Sequence, residues 1–220
     1  MEYLAPLKKS FEAAADPVRA EQMSNYMRNK FVFLGMATKT RQDIQKSFYK
    51  EYGWPDKSEL FNIIFQLWEL PEREYQMAAF SLLQKFEKTY DEEDIFHLEK
   101  LLITKSWWDT VDGLSAWSCG AYFSLYPEKL KPVIEKWMQS GNFWLQRACL
   151  LFQLKYKKKT DTGLLSELIN QLKTEKEFFI RKAIGWILRE YSKTNPEWVR
   201  NFIYTTQLSP LSKKEASKYI

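Results

Sequence analysis

Two residues one helical turn apart carry the most distinctive chemistry in this sequence. In the run Lys105-Ser-Trp-Trp-Asp-Thr-Val-Asp112, Trp108 and Asp112 are four positions apart, so a helix places them on one face. The face of an indole ring attracts positive charge, worth about 0.5–2 kcal/mol depending on how dry the site is. A carboxylate stabilises an oxocarbenium ion or orients water toward it, as one carboxylate does in glycoside hydrolysis. Together the two suit a sugar-like cation. Each also has a plainer reading, because an isolated Trp is more often core and a lone Asp is usually solvated. Trp107 is the candidate for the core position of the Trp pair. A third residue, Arg147, sits in the otherwise apolar run Phe143-Trp-Leu-Gln-Arg-Ala-Cys149. It can pair with a buried carboxylate such as Asp112, or grip a phosphate with its planar fork.

These residues have to be positioned by helices, and helical periodicity runs the length of the chain. Leu60, Ile63, Ile64, Leu67 and Trp68 form one apolar stripe, and Leu164, Leu165, Leu168, Ile169 and Leu172 form another. Asp16-Pro17 pairs an N-cap acceptor with proline at the first helical position, and Ser106 is expected to cap a helix beginning at Trp107. Pro71, Pro127, Pro196 and Pro210 punctuate other periodic segments. Stacking the segments exposes a repeat. Glu74-Tyr-Gln-Met-Ala-Ala-Phe80, Trp144-Leu-Gln-Arg-Ala-Cys-Leu150 and Phe179-Ile-Arg-Lys-Ala-Ile-Gly185 align with Ala78, Ala148 and Ala183 in register. The unit is roughly 35 residues, the scale of a helical-pair solenoid. One unit before Arg147 is Asp112 and one unit after it is Lys182, so the three are expected to be neighbours on one surface. By the same step Trp108 aligns with Phe143 and Phe178, the two Phe being explained by core packing.

Composition narrows the class. Of 220 residues, 45% are hydrophobic and 16% aromatic, with seven Gly and eight Pro, which fits one all-α domain and not a disordered or all-β chain. The expected organisation is a single domain over 1–220 with a less regular helical cap over 1–56. An apparent helix over 212–220 runs to the last residue and leaves room for a longer tail. A single histidine, His97, and two cysteines without metal-ligand spacing, Cys119 and Cys149, argue against a zinc site or a Ser-His-Asp triad. No metal or cofactor is expected. The thiols read as buried and free in a reducing compartment. The charged N-terminus lacks a signal-peptide core, and no apolar run reaches membrane-spanning length, so a cytoplasmic protein with no membrane partner is expected.

The net charge of +5 permits a polyanionic partner without requiring one. Lys155, Lys157, Lys158 and Lys159 end one helix, Arg181, Lys182 and Arg189 lie on the next repeat helix, and Lys213 and Lys214 lie near the last. Arg28, Lys30, Lys39 and Arg41 form a group near the start. Interleaving by Tyr26 and Trp186 favours a nucleic acid over a generic anion, although such clusters also serve solubility.

The motifs resemble those of one family. Lys105-Ser-Trp-Trp-Asp-Thr-Val-Asp112 looks like the active-site helix of AlkD-type DNA alkylation repair glycosylases. So do Trp144-Leu-Gln-Arg-Ala, Phe152-Gln-Leu-Lys-Tyr-Lys157 and Lys176-Glu-Phe-Phe-Ile-Arg-Lys-Ala-Ile-Gly-Trp186, continuing through Leu188-Arg-Glu-Tyr191 and Lys193-Thr-Asn-Pro196. Near the start, Tyr26-Met-Arg-Asn-Lys30 and Phe33-Leu-Gly35 also fit. The resemblance implies a right-handed superhelical solenoid of HEAT-like helix pairs whose concave basic face binds duplex DNA as a monomer. It implies release of N3- and N7-alkylated purines with an abasic site left behind. By motif position Trp108, Asp112 and Arg147 are the implied catalytic set. Trp186, Tyr26 and Arg189 are implied DNA contacts, to which the basic pattern adds Arg181, Lys182, Lys155, Lys157 and Arg28. Gly113, directly after Asp112, departs from the family pattern.

A purine alkylated at N3 or N7 is cationic and leaves as a neutral base, which removes the main need for a histidine acid. Asp112→Asn is therefore expected to fold and bind DNA, yet release base far more slowly. The alternative is a non-catalytic HEAT-like module that binds DNA structures or a protein. A third reading, an RNA-binding repeat, would need stacking aromatics at one repeat position in every unit.

Overall fold

A computed structural model describes residues 2–220 and is all-helical, with one isolated parallel bridge between Val32 and Glu72. The chain forms two compact units, divided between Thr89 and Tyr90. The expected cap boundary at residue 56 lies inside the first of these units.

That unit holds α1 (Ala5–Ala13), α2 (Pro17–Tyr26), α3 (Thr38–Tyr52), α4 (Leu60–Glu69) and α5 (Arg73–Phe86). Asp16 caps α2 as its sequence indicates, its carboxylate accepting from the N–H groups of Val18 and Arg19. The whole stripe Leu60, Ile63, Ile64, Leu67 and Trp68 is buried on α4, against Tyr75, Ala78, Ala79, Leu82 and Leu83 of α5. A buried carboxylate orders the loop before α3. Glu74 accepts from three successive backbone N–H groups, those of Leu34, Gly35 and Met36, at 3.0, 2.8 and 3.2 Å. Gly35 has φ +88°, and a Cβ there would meet the Asp16 carbonyl at 2.1 Å, so only glycine fits.

The second unit holds α6 (Asp94–Ile103), α7 (Trp108–Gly113), α8 (Gly120–Leu125), α9 (Pro127–Gln139), α10 (Phe143–Leu151), α11 (Thr162–Leu172), α12 (Phe178–Ser192), α13 (Pro196–Thr205) and α14 (Pro210–Ala216). Pro127, Pro196 and Pro210 open helices, where their missing N–H is no loss. Between α7 and α8 the chain makes a π-helical turn over Leu114–Cys119, and Gly113 itself is helical at φ −64° and ψ −50°. The centre of the unit is α10, which packs against α6, α7, α9, α11 and α12 and buries seven of its nine residues. Cys119 and Cys149 are free and buried.

Two local expectations are corrected. Helix α7 starts at Trp108 with Trp107 as its uncapped N-cap residue. Ser106 is not the cap, since its hydroxyl donates back to the Leu102 carbonyl at 2.6 Å. The last helix ends at Ala216 and tightens to a 3₁₀ turn over Ser217–Tyr219. It docks closely on α12, where a Cβ on Gly185 would stand 2.4 Å from that of Glu215 and 2.8 Å from the Ser212 carbonyl. Among the described residues, no helix is long and apolar enough to cross a membrane.

Candidate active site

Helices α7 and α10 bring two of the three chemistry-bearing residues into direct contact. The Arg147 fork meets the Asp112 carboxylate side-on, with Nε donating to one oxygen at 2.7 Å and Nη2 to the other at 2.9 Å. Its Nη1 donates to the backbone carbonyl of Phe179 on α12. Arg147 is 4% exposed, so its charge is compensated by these partners and not by water. A grip on phosphate would require it to leave both, and the pairing alternative is the one the geometry adopts. Asp112 keeps more contact with solvent, its side chain being 14% exposed. Burial pushes its carboxyl above the usual carboxylate range, while the Arg147 hydrogen bonds and charge pull it back.

Trp108 stands one turn before Asp112 on α7 and is partly exposed, outside the apolar core. Trp107 is likewise only partly buried. It meets the Phe179 ring edge-on at 5.1 Å and the Trp144 ring at 5.9 Å, and its buried Nε1–H has no hydrogen-bond partner. Trp107, Trp144 and Phe179 thus form an aromatic cluster. Phe143 and Phe178 meet Trp144 and Phe179 at 4.6 and 5.4 Å. Core packing does not account for Phe178, which is 49% exposed.

The repeat step from Asp112 reaches Arg147 as expected. Lys182 pairs with Glu215 on α14 at 2.9 Å, as do Arg189 at 2.8 Å and Lys218 at 3.0 Å. Lys182 and Arg189 flank Gly185 on the face of α12 that receives α14, and both stay partly exposed. Sequence reasoning passed over Glu215, because a single Glu in a short terminal helix carries no signal of burial. Its carboxyl is held down at about 2, chiefly by the Lys182 hydrogen bond, with Lys218 adding to it. A depressed folded value means stability that is present above the ordinary 4.5 and lost as pH falls toward 2. Denaturant midpoints of the protein should fall across that window. Glu215→Gln should lower the midpoint at neutral pH and flatten the acid slope, and an unchanged slope would rule the cluster out as its source.

The remaining basic candidates differ in setting. Lys155 lies over the exposed Trp117 ring at 5.2 Å, and Lys157 is exposed in a left-handed conformation, φ +52°, opening the 3₁₀ turn Lys157–Lys159. Arg181 donates through Nε to the Glu175 carbonyl at 2.9 Å, and Trp186 is partly exposed on α12. In the first unit, Tyr26 is 74% exposed at the end of α2, and Arg28 follows in a left-handed turn with φ +57°. Two members of the expected N-terminal basic group are otherwise engaged. Lys39 pairs with Asp43, and Arg41 is buried, donating to Gln45 and Ser81 at 2.9 and 3.1 Å.

Known proteins match this arrangement over most of its length. The sequence family described as DNA alkylation repair enzyme matches residues 7–220. A solved structure described as a predicted DNA alkylation repair enzyme from Enterococcus faecalis is 37% identical, with TM-score 0.86, covering 94% of this chain and 96% of that one. AlkD2 from Streptococcus mutans is 20% identical, with TM-score 0.62, over 84% of this chain and 91% of that one. A further Streptococcus mutans structure, also 20% identical, has TM-score 0.61 over 83% and 98% of the two chains. A search of curated proteins gives no match.

Proposed function

Because this chain belongs to the DNA alkylation repair enzyme family, we propose that it acts there as a DNA glycosylase. In this reading it hydrolyses the N-glycosidic bond of N3- or N7-alkylated purines in duplex DNA and leaves an abasic site. The single observation that supports it best is the Asp112 carboxylate, locked side-on by Arg147 and one helical turn from a partly exposed Trp108.

The chemistry asks little more. Alkylation makes the purine cationic, so the electron pair of the breaking C1′–N bond neutralises the base as it leaves. Positive charge then builds on the deoxyribose. In this reading Asp112 stabilises that charge and Trp108 packs its ring face against the sugar. Water bonds to C1′ and gives up its proton toward the same carboxylate. Arg147 acts as a positioning residue, fixing the carboxylate plane and keeping it ionised. Tyr26 and Arg28 of the first unit, and Lys155, Lys157, Arg181, Lys182, Trp186 and Arg189 of the second, are the proposed DNA contacts. Affinity carried by such contacts falls steeply with salt and depends little on sequence.

The test is to incubate the protein with methylated duplex DNA and separate free alkylated bases by chromatography. Release of 3-methyladenine or 7-methylguanine above the spontaneous rate is expected. Binding to DNA without release would favour the non-catalytic alternative.

The Asp112 environment also sets the pH dependence. The reaction needs the ionised carboxylate, and burial holds the carboxyl above its ordinary value of 3.8. Excision should therefore fall on acidification at a pH higher than a solvated Asp would give, and a rate that is flat through the carboxylate range would exclude an ionised Asp112 from the mechanism.

A further inference from the structure

The helix that carries Trp108 and Asp112 does not keep α-helical pitch beyond them. Over Leu114–Cys119 it widens to the π-helical turn, and the Gly120 N–H donates to the Ser115 carbonyl five residues back. Burial follows the change of pitch. Trp108 and Asp112 are both partly exposed, and from Leu114 to Gly120 every residue except Trp117 is buried. A regular helix would present Ala116 next on the Asp112 side, one turn on. The wider turn leaves Ala116 buried and brings Trp117, five positions after Asp112, to the open side of the helix, where it is 42% exposed.

The side chain that meets this ring comes from the chain after α10. Lys155 is exposed, and its ammonium lies over the Trp117 ring, 5.2 Å from the centroid. The main chain on either side of it is fixed. Leu154 is buried, and the Tyr156 hydroxyl donates to the Gly120 carbonyl at 2.7 Å. A Cβ on Gly120 would stand 2.7 Å from the Phe152 carbonyl, so the segment after α10 runs directly against the end of the π turn. The lysine therefore starts from a fixed point and ends over a ring that the change of pitch has placed. An ammonium held over an aromatic face gives up part of its water and some of its conformers. Both losses, once made, lower the cost of meeting a phosphate.

We propose that Trp117 is a positioning residue of the DNA-binding face, holding the Lys155 ammonium on the side of the helix that carries Asp112, ready for a backbone phosphate. The proposal rests on the reading of Lys155 as a DNA contact and is independent of which base is released. Trp117 acts through the lysine and has no need to touch the nucleic acid itself. The π turn supplies an indole where α-helical pitch would supply a methyl group. If the indole served only as surface packing, any apolar side chain of similar bulk would replace it. If it holds the ammonium, a ring face is required.

The test titrates the full chain against a fluorescein-labelled, undamaged DNA duplex at several salt concentrations, reading affinity and its salt slope by anisotropy. Trp117→Phe keeps a ring face, and Trp117→Leu keeps only apolar bulk. Trp117→Leu should weaken binding about threefold, the scale of a lost cation–π contact at an exposed site, and Trp117→Phe should retain most of the parental affinity. Lys155→Ala should weaken binding and lower the salt slope by about one, as the loss of a single phosphate contact does. With Lys155→Ala already in place, Trp117→Leu should have no further effect on affinity. Thermal melting of each variant separates this from unfolding, because a purely structural Trp117 would weaken binding by the same factor with or without Lys155. Parental affinity in Trp117→Leu, equal losses in Trp117→Leu and Trp117→Phe, or a Trp117→Leu effect that persists beside Lys155→Ala would overturn the proposal and leave the DNA-binding reading standing. A parental protein that does not bind the duplex would overturn both.

Discussion

Asp112→Asn should lower the rate of alkylated-base release by about a hundredfold or more, the usual loss when a group facing transition-state charge is removed. The substitution keeps the shape of the side chain and one acceptor for the Arg147 fork. It removes the negative charge that the deoxyribose cation would face. The geometry also predicts something the sequence did not, namely a cost in stability, since Arg147 is almost fully buried and loses its counter-charge. Excision must therefore be measured well below the variant's own melting point, with DNA binding measured alongside. A variant that is folded, binds DNA and excises at the parental rate would remove Asp112 from the mechanism.

Arg147→Met is expected to be the most damaging single change in the second unit. Methionine fills much of the volume but leaves the Asp112 carboxylate and the Phe179 carbonyl without their donor. Breaking a buried pair in this way typically costs about 3–5 kcal/mol. A purely structural role would show only in the melting curve. A positioning role also shows in the pH profile, because Asp112 loses the partner that opposes its desolvation and the acid limb of excision moves upward. Arg147→Lys restores the charge without the fork and should recover part of the stability and little of the rate. Unchanged melting together with an unchanged acid limb would contradict both roles.

The sequence made some of this arrangement legible and hid the rest for physical reasons. The stripe from Leu60 to Trp68 is unambiguous because five apolar residues at helical spacing have one way to be buried together. The repeat offset placed Asp112 beside Arg147 because both belong to helices packed as neighbours, α7 and α10. The offset says nothing of the partner that Lys182 takes. There a helix outside the repeat, α14, supplies Glu215, and the lysine turns to it. Arg41 read as surface charge, whereas Gln45 one turn on and Ser81 from α5 give it buried partners that spacing within α3 reveals only in part. Among the aromatics, a shift of one residue separates the partly buried Phe179 from the exposed Phe178, and periodicity alone does not resolve that difference.

The hydrogen bond from Arg147 to residue 179 ends on a main-chain oxygen. Every amino acid supplies that atom, so mutational drift at this position cannot delete the anchor. Only a shift of the polypeptide can. Insertions or a proline near the start of α12 should accordingly damage the carboxylate on α7 more than any exchange of the ring at 179. The tether is a property of the chain's path, and residue-by-residue scanning would pass over it.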